Sequence, residues 1–173
     1  QYVFGQGTHY EIYKKLGAHM CTHDGKDGVF FAVWAPNAQD VYVIGEFNGW
    51  NETANKMERI GEGGIYTTLI ENVSEGQMYK YLIELADGRK LYKADPYANY
   101  AELRPGTASR VYDLNHFEWN DSKWMTAREK KDMNKEPLAI YECHIGSWMK
   151  HPDGTEDGFY TYRQFADRMI EYL

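Results

Sequence analysis

From Val29 onward the sequence repeatedly switches between short segments of period two and pairs of turn-forming residues, and this rhythm restricts the fold more than any other feature. Val29–Trp34, Val41–Ile44, Ile65–Ile70, Met78–Leu85, Lys90–Tyr92 and Arg110–Leu114 alternate as half-buried strands do. Pro36-Asn37, Gly61 to Gly64, Glu75-Gly76 and Asp87-Gly88 supply the breaks between them. Short strands recurring at roughly ten-residue spacing predict a mainly β chain, an immunoglobulin-like β-sandwich. Upstream, Thr8 and Glu11 read as a capping box, with Ile12 and Leu16 at helical spacing and Gly17 as a stop; this predicts a short N-terminal helix. Asp24-Gly25 and Asp27-Gly28 mark the turn into the first strand.

The rhythm ends near His116. Residues 116–136 are polar and charged, and read as a connector packed on the surface through Trp119 and Trp124. Leu138–Ile145 then reads as a strand, Asp153-Gly154 through Asp157-Gly158 as a loop, and Thr161–Leu173 as a helix. That helix has a Thr161/Gln164 capping box and places Phe165, Met169 and Tyr172 on one face. A single strand–loop–helix unit cannot cover both faces of its strand, so the architecture is expected to be incomplete. The expected organisation is a sandwich over 1–115, a connector over 116–136 and the strand–helix unit over 137–173.

Charge and composition exclude several function classes. A formal net charge of −7, with basic residues scattered apart from Arg128–Lys131, argues against a nucleic-acid partner. No apolar run approaches a membrane span, and no signal peptide opens the chain, so no membrane partner is expected. Cys21 and Cys143 match no metal or redox spacing, and the six histidines form no ligand cluster, so neither metal nor cofactor is expected. Free thiols point to the cytoplasm. There is no phosphate-binding glycine loop and no nucleophile elbow; Gly5-Gln6-Gly7 lacks the rest of a glycine-loop pattern.

A binding site is better supported. In Val41–Asn51, VYVIGEFNGWN, a strand runs into a tight polar turn that carries Trp50 at its tip. A ring there either lids the core or offers a platform to a flat apolar ligand face, such as that of a glucosyl unit. Period two puts Lys80 on the face opposite Tyr79 and Tyr81, and Tyr92 follows across the Asp87-Gly88 hairpin. Trp50, Lys80 and Tyr92 are the candidate carbohydrate-binding residues, lining one shallow groove. The alternatives are a core-capping Trp50, a solvated Lys80 and edge-strand packing for Tyr92. Charge-assisted hydrogen bonds of about 1.5–3 kcal/mol and ring stacking of about 0.5–1.5 kcal/mol imply weak binding, roughly micromolar to millimolar.

Four blocks carry a family resemblance. YEIYKKLGAH (Tyr10–His19), FAVWAPNAQDVYVIGEFNGWN (Phe31–Asn51), KADPYANYAELRPGTASRVYDL (Lys93–Leu114) and IYECHIGSW (Ile140–Trp148) resemble the N-terminal part of bacterial-type 1,4-α-glucan (glycogen) branching enzymes. The second block resembles a family 48 carbohydrate-binding module, and the last resembles the first strand of a family 13 α-amylase-type barrel. The resemblance implies a cytoplasmic enzyme of glycogen biosynthesis that cuts α-1,4-glucan and rejoins it through α-1,6 bonds, with an Asp nucleophile and a Glu acid/base. It implies that this chain carries the first strand and helix of a truncated (β/α)8 barrel. The catalytic carboxylates belong to later barrel strands, so no catalytic residue is assigned here and the chain alone is expected to be inactive. Trp50 and Lys80 match glucan-binding positions of such modules, and Tyr92 stands where they can hold a Trp. The implied partners are α-1,4-glucan (glycogen, maltooligosaccharides) and the remainder of the barrel. A debranching enzyme of the same architecture, a stand-alone glycogen-binding module and a ligand-free structural domain are the alternatives. The Arg104–Val111 block argues against the first of these, and the strand and helix after Pro137 argue against the second.

Overall fold

A computed structural model describes residues 2–152 and 158–173, which fall into two units, Gln1–Glu118 and Trp119–Leu173. The first unit holds nine strands: β1 (Gly17–His23), β2 (Lys26–Trp34), β3 (Ala38–Gly45), β4 (Glu58–Ile60), β5 (Ile65–Glu71), β6 (Met78–Leu85), β7 (Lys90–Lys93), β8 (Tyr100–Ala101) and β9 (Ser109–Arg110). They form two antiparallel sheets, β1-β2-β5-β4 and β3-β6-β9-β8, with β7 also paired to β6. Their inner faces share one core, built from Val29, Phe31 and Val33 on β2, Tyr66 and Ile70 on β5, Val41 and Val43 on β3, and Tyr79 and Tyr81 on β6. This is the β-sandwich that the period-two segments predict. The hydroxyl of Tyr66 crosses the core to donate to the Ala38 carbonyl at 2.8 Å. Tyr66→Phe removes that bond, and we expect a loss of about 1 kcal/mol in urea unfolding with the fold unchanged.

Strand boundaries differ from expectation mostly at sheet edges. The predicted N-terminal helix is not formed: Ile12–Lys14 makes a single 3₁₀ turn without a side-chain cap, the Thr8 hydroxyl donates to the Val3 carbonyl instead, and the only nearby helix, α1, is Tyr2–Gly5. Gly17, read as a helix stop, opens β1 with φ 108°. Burying Leu16 fixes the turn, and the ladder to β2 then takes the backbone from Gly17 onward. Asp24 and Gly25, both at positive φ, make the hairpin turn that joins β1 to β2 with His23 opposite Lys26. Asp27-Gly28 lies inside β2, where a Cβ on Gly28 would stand 2.6 Å from the Ile70 carbonyl oxygen. The predicted strand Arg110–Leu114 is instead a two-residue strand at Ser109–Arg110, although the buried Val111 still exchanges backbone bonds with Gly76 and Gln77.

The second unit contains α2 (Ser122–Glu129), α3 (Ile145–Trp148) and α4 (Tyr162–Tyr172). The α4 cap is the predicted one: Thr161 Oγ1 accepts from the Gln164 amide, and Gln164 Oε1 accepts from the Thr161 amide at 2.8 Å. Phe165 and Tyr172 on its apolar face pack edge-on against Trp148, whose indole N–H donates to the Tyr141 hydroxyl at 2.8 Å. The predicted strand Leu138–Ile145 is absent; residues 137–144 join no ladder and no helix, and Ile140 is 82% exposed. A strand is stabilised by its hydrogen-bonded neighbours, and this segment has none among the described residues. The connector segment contains α2, on which the Arg128 guanidinium lies 5.4 Å over the Trp124 ring. The Asp153–Asp157 loop reading lies outside the described residues.

Candidate functional site

The outer face of the β3–β6–β7 layer collects the candidate residues. Strand alternation turns Tyr79 and Tyr81 into the core and Lys80 and Leu82 outward, as the sequence predicts. The ladders place Tyr42, Leu82 and Tyr92 side by side in one row across β3, β6 and β7, and Ile44 beside Lys80 in the next. Lys80 and Tyr92 are therefore diagonal neighbours on one face, about 7–8 Å apart at the backbone.

Trp50 is placed by a different route. After β3, Glu46–Asn48 make a 3₁₀ turn and Gly49 enters the left-handed region. Asn48 ties the turn down: its Oδ1 accepts from the Gly45 amide at 3.0 Å, and its Nδ2 donates to the Val43 carbonyl at 2.9 Å and to Asn55 Oδ1 at 2.7 Å. Trp50 itself has φ 60°, rare for a bulky side chain, and its amide donates to the Gly45 carbonyl at 2.8 Å. Two residues on, the Glu52 carboxylate accepts from the Tyr92 hydroxyl and, at 2.8 Å, from the Lys90 ammonium, both on β7. The segment itself returns to β3, where the Asn55 carbonyl accepts from the Val43 amide at 2.9 Å and the Met57 amide donates to the Val41 carbonyl at 2.8 Å, so the link to β7 is made by side chains. Leu82 and Ile44 are 0% and 3% exposed on that outer face, while Trp50 remains 38% exposed.

The structure thus puts Lys80 and Tyr92 on one face, both with their polar groups engaged, and Trp50 in the turn whose Glu52 reaches Tyr92. Lys80 Nζ donates to Thr107 Oγ1 at 2.7 Å, and the Tyr92 hydroxyl is held by Glu52. The Glu52 carboxyl is held below its usual range, first by the hydrogen bond from Lys90 and then by that from Tyr92. Glu52 and Thr107 escaped sequence reasoning because their partners are 40 and 27 residues away. Tyr42 also went unread, although alternation with the buried Val41 and Val43 already turns it outward.

Behind the platform sits a buried carboxylate. Asp95 Oδ2 accepts from the hydroxyls of Tyr79 at 2.7 Å and Tyr81 at 3.1 Å, and Oδ1 accepts from the Tyr97 amide at 2.8 Å. The Asp95 amide donates to the buried Ser109 hydroxyl at 2.8 Å, which ties the chain after β7 to β9. Burial raises the Asp95 carboxyl above its ordinary range, partly offset by these donors. Among the described residues there is no group of three or more His, Cys, Asp or Glu placed to hold a metal ion, and both cysteines are free and exposed. No helix of the described residues is long and apolar enough to cross a membrane.

Residues 15–98 match the family model of carbohydrate-binding module 48 (isoamylase N-terminal domain). This segment is similar to a family 48 carbohydrate-binding module. It contains Trp50, Lys80 and Tyr92. Around the module, the whole chain is similar to 1,4-alpha-glucan branching enzymes. That of Butyrivibrio fibrisolvens is 68% identical over 173 residues, covering 100% of this chain and 27% of the relative. That of Bacillus caldolyticus is 47% identical over 172 residues, covering 99% of this chain and 25% of the relative. The chain therefore spans about a quarter of the length of these relatives. A solved structure, the catalytic module of the multi-modular glycogen-degrading pneumococcal virulence factor SpuA, shares the fold with a TM-score of 0.61 at 21% identity, covering 94% of this chain and 26% of that one.

Proposed function

We propose that the module binds α-1,4-glucan on the outer face of β3, β6 and β7, stacking glucosyl faces on Trp50 and Tyr92 and donating from Lys80. The observation that carries this reading is the bond from the Tyr92 hydroxyl to Glu52, which joins the turn that carries the partly exposed Trp50 to the row that holds Tyr92. A flat ring and an ammonium suit a ligand whose faces are apolar and whose rim is hydroxylated. Retardation in a native gel cast with glycogen tests it. The wild-type chain is expected to migrate more slowly as glycogen is added, and Lys80→Ala to weaken the apparent affinity by about ten-fold. Migration unaffected by glycogen would overturn the reading.

We further infer that the whole protein is a cytoplasmic 1,4-α-glucan branching enzyme, which transfers α-1,4-glucan segments to α-1,6 positions. Similarity along the full chain to enzymes of that name supports this. In that setting Leu138–Ile145 would gain neighbouring strands and serve as the first strand of the catalytic barrel, with α4 as its helix. No residue of this chain is assigned a catalytic role. Product analysis of the whole protein on amylose distinguishes the possibilities: new α-1,6 linkages support branching, whereas loss of such linkages from glycogen would identify a debranching enzyme. A second reading, in which the module braces the barrel rather than holding glucan, draws on the internal commitments of Lys80 to Thr107 and Tyr92 to Glu52.

A further inference from the structure

We propose that Glu52 is the positioning residue of the glucan platform: its carboxylate clasps β7 from the Trp50 turn and holds the Trp50 and Tyr92 rings at a fixed spacing. The inference rests on the glucan-binding reading of the same face. Trp50 occupies a backbone region that a bulky residue keeps only where its surroundings over-determine it. On the near side, the turn is fixed by Asn48 and by the Trp50 amide on Gly45. Those contacts, with the Val43 amide on the Asn55 carbonyl at 2.9 Å and the Met57 amide on the Val41 carbonyl at 2.8 Å, fix both ends of the turn on β3 and leave its side toward β7 to be held by side chains. Among the described residues, the hydrogen bonds from this turn to β7 run through Glu52.

The clasp has two arms. Tyr92 donates its hydroxyl to one carboxylate oxygen, which fixes the ring that would meet a sugar and removes that hydroxyl from ligand contact. Lys90 donates to the other oxygen at 2.8 Å and lies 3.4 Å from Glu84 on β6, so its ammonium is itself held between two strands. Glu52 thus couples the turn to both strands beneath it. A platform ordered before the ligand arrives avoids the entropy of ordering a loop and a ring on binding.

The test combines a maltoheptaose titration with NMR relaxation of the Trp50 indole N–H in the ligand-free chain. Glu52→Ala is expected to weaken binding about three- to ten-fold and to raise the mobility of the Trp50 indole. Glu52→Gln keeps an oxygen for the Tyr92 hydroxyl but turns an N–H₂ toward the Lys90 ammonium, and is expected to fall between Glu52→Ala and wild type in both. Tyr92→Phe keeps the ring and loses one arm, and is expected to loosen the indole part-way; it serves as well if Glu52→Ala proves poorly folded. A Glu52→Ala chain that binds as wild type, or whose indole stays as rigid, would overturn the clasp while the glucan reading stands. A wild-type chain that does not bind at all would remove the glucan reading, and the clasp with it.

Discussion

Asp95→Ala is expected to cost this chain about 2–4 kcal/mol of folding stability, a large part of the roughly 5–15 kcal/mol that holds a domain together. The substitution withdraws the acceptor from the Tyr79 hydroxyl and from one arm of Tyr81, both on fully buried side chains. Tyr81 keeps a longer contact to the Ala32 carbonyl at 3.4 Å, so the larger share of the cost falls on Tyr79. The Tyr97 amide also loses its acceptor, and with it the turn that follows β7. Asp95→Asn is the milder variant, because one amide oxygen can still face the two hydroxyls while its N–H₂ opposes the Tyr97 amide. The pH dependence separates the two effects. Asp95's carboxyl is raised in the folded state, so over the window between its unfolded and folded values the folded chain holds the extra proton. Its contribution is therefore fully present below the ordinary carboxylate range and is lost as pH rises through the raised value. Urea unfolding across that window should show a downward slope that disappears in Asp95→Asn; an unchanged slope would contradict the assignment.

Trp50→Gly is expected to lower maltoheptaose affinity by at least about thirty-fold, while folding stability changes by less than about 1 kcal/mol. The loss of binding follows from removing the larger ring of the platform. The small stability change comes from two opposing terms. The indole is 38% exposed and gives up part of its burial when removed. Glycine accepts φ 60° freely, where tryptophan is held in a left-handed conformation that costs about 1–3 kcal/mol. A ring kept in that conformation at a surface turn is better explained by a ligand than by packing. Calorimetric titration and urea unfolding on the same pair of chains read both quantities. A Trp50→Gly chain that unfolds several kcal/mol sooner and binds glucan as before would mean that the indole caps the core.

How much of this could be read from the sequence follows from how local each interaction is. β2, β3, β5 and β6 alternate against a buried face, and their centres were legible to within a few residues. β1, β4 and β8 are short or edge strands with mostly exposed residues, so no apolar rhythm marks them. The Thr8–Gly17 helix failed because Ile12–Lys14 closes only one 3₁₀ turn and the ladder to β2 takes the backbone from Gly17 onward. Leu138–Ile145 has strand composition, but composition supplies no neighbouring strand. Among site residues, Lys80's outward direction came straight from period two, and Trp50's prominence from its turn. Glu52, by contrast, is one acidic residue among 26 in the sequence, and only the ladders that carry β7 beside β6 reveal its role.

The most direct test of the glucan platform is a maltoheptaose titration followed through the Trp indole N–H signals, with Trp50→Ala to assign the turn. Saturable shifts at the Trp50 signal that vanish in the variant, accompanied by shifts at the Lys80 and Tyr92 amides, are the predicted result. Signals that do not move up to tens of millimolar ligand would contradict it.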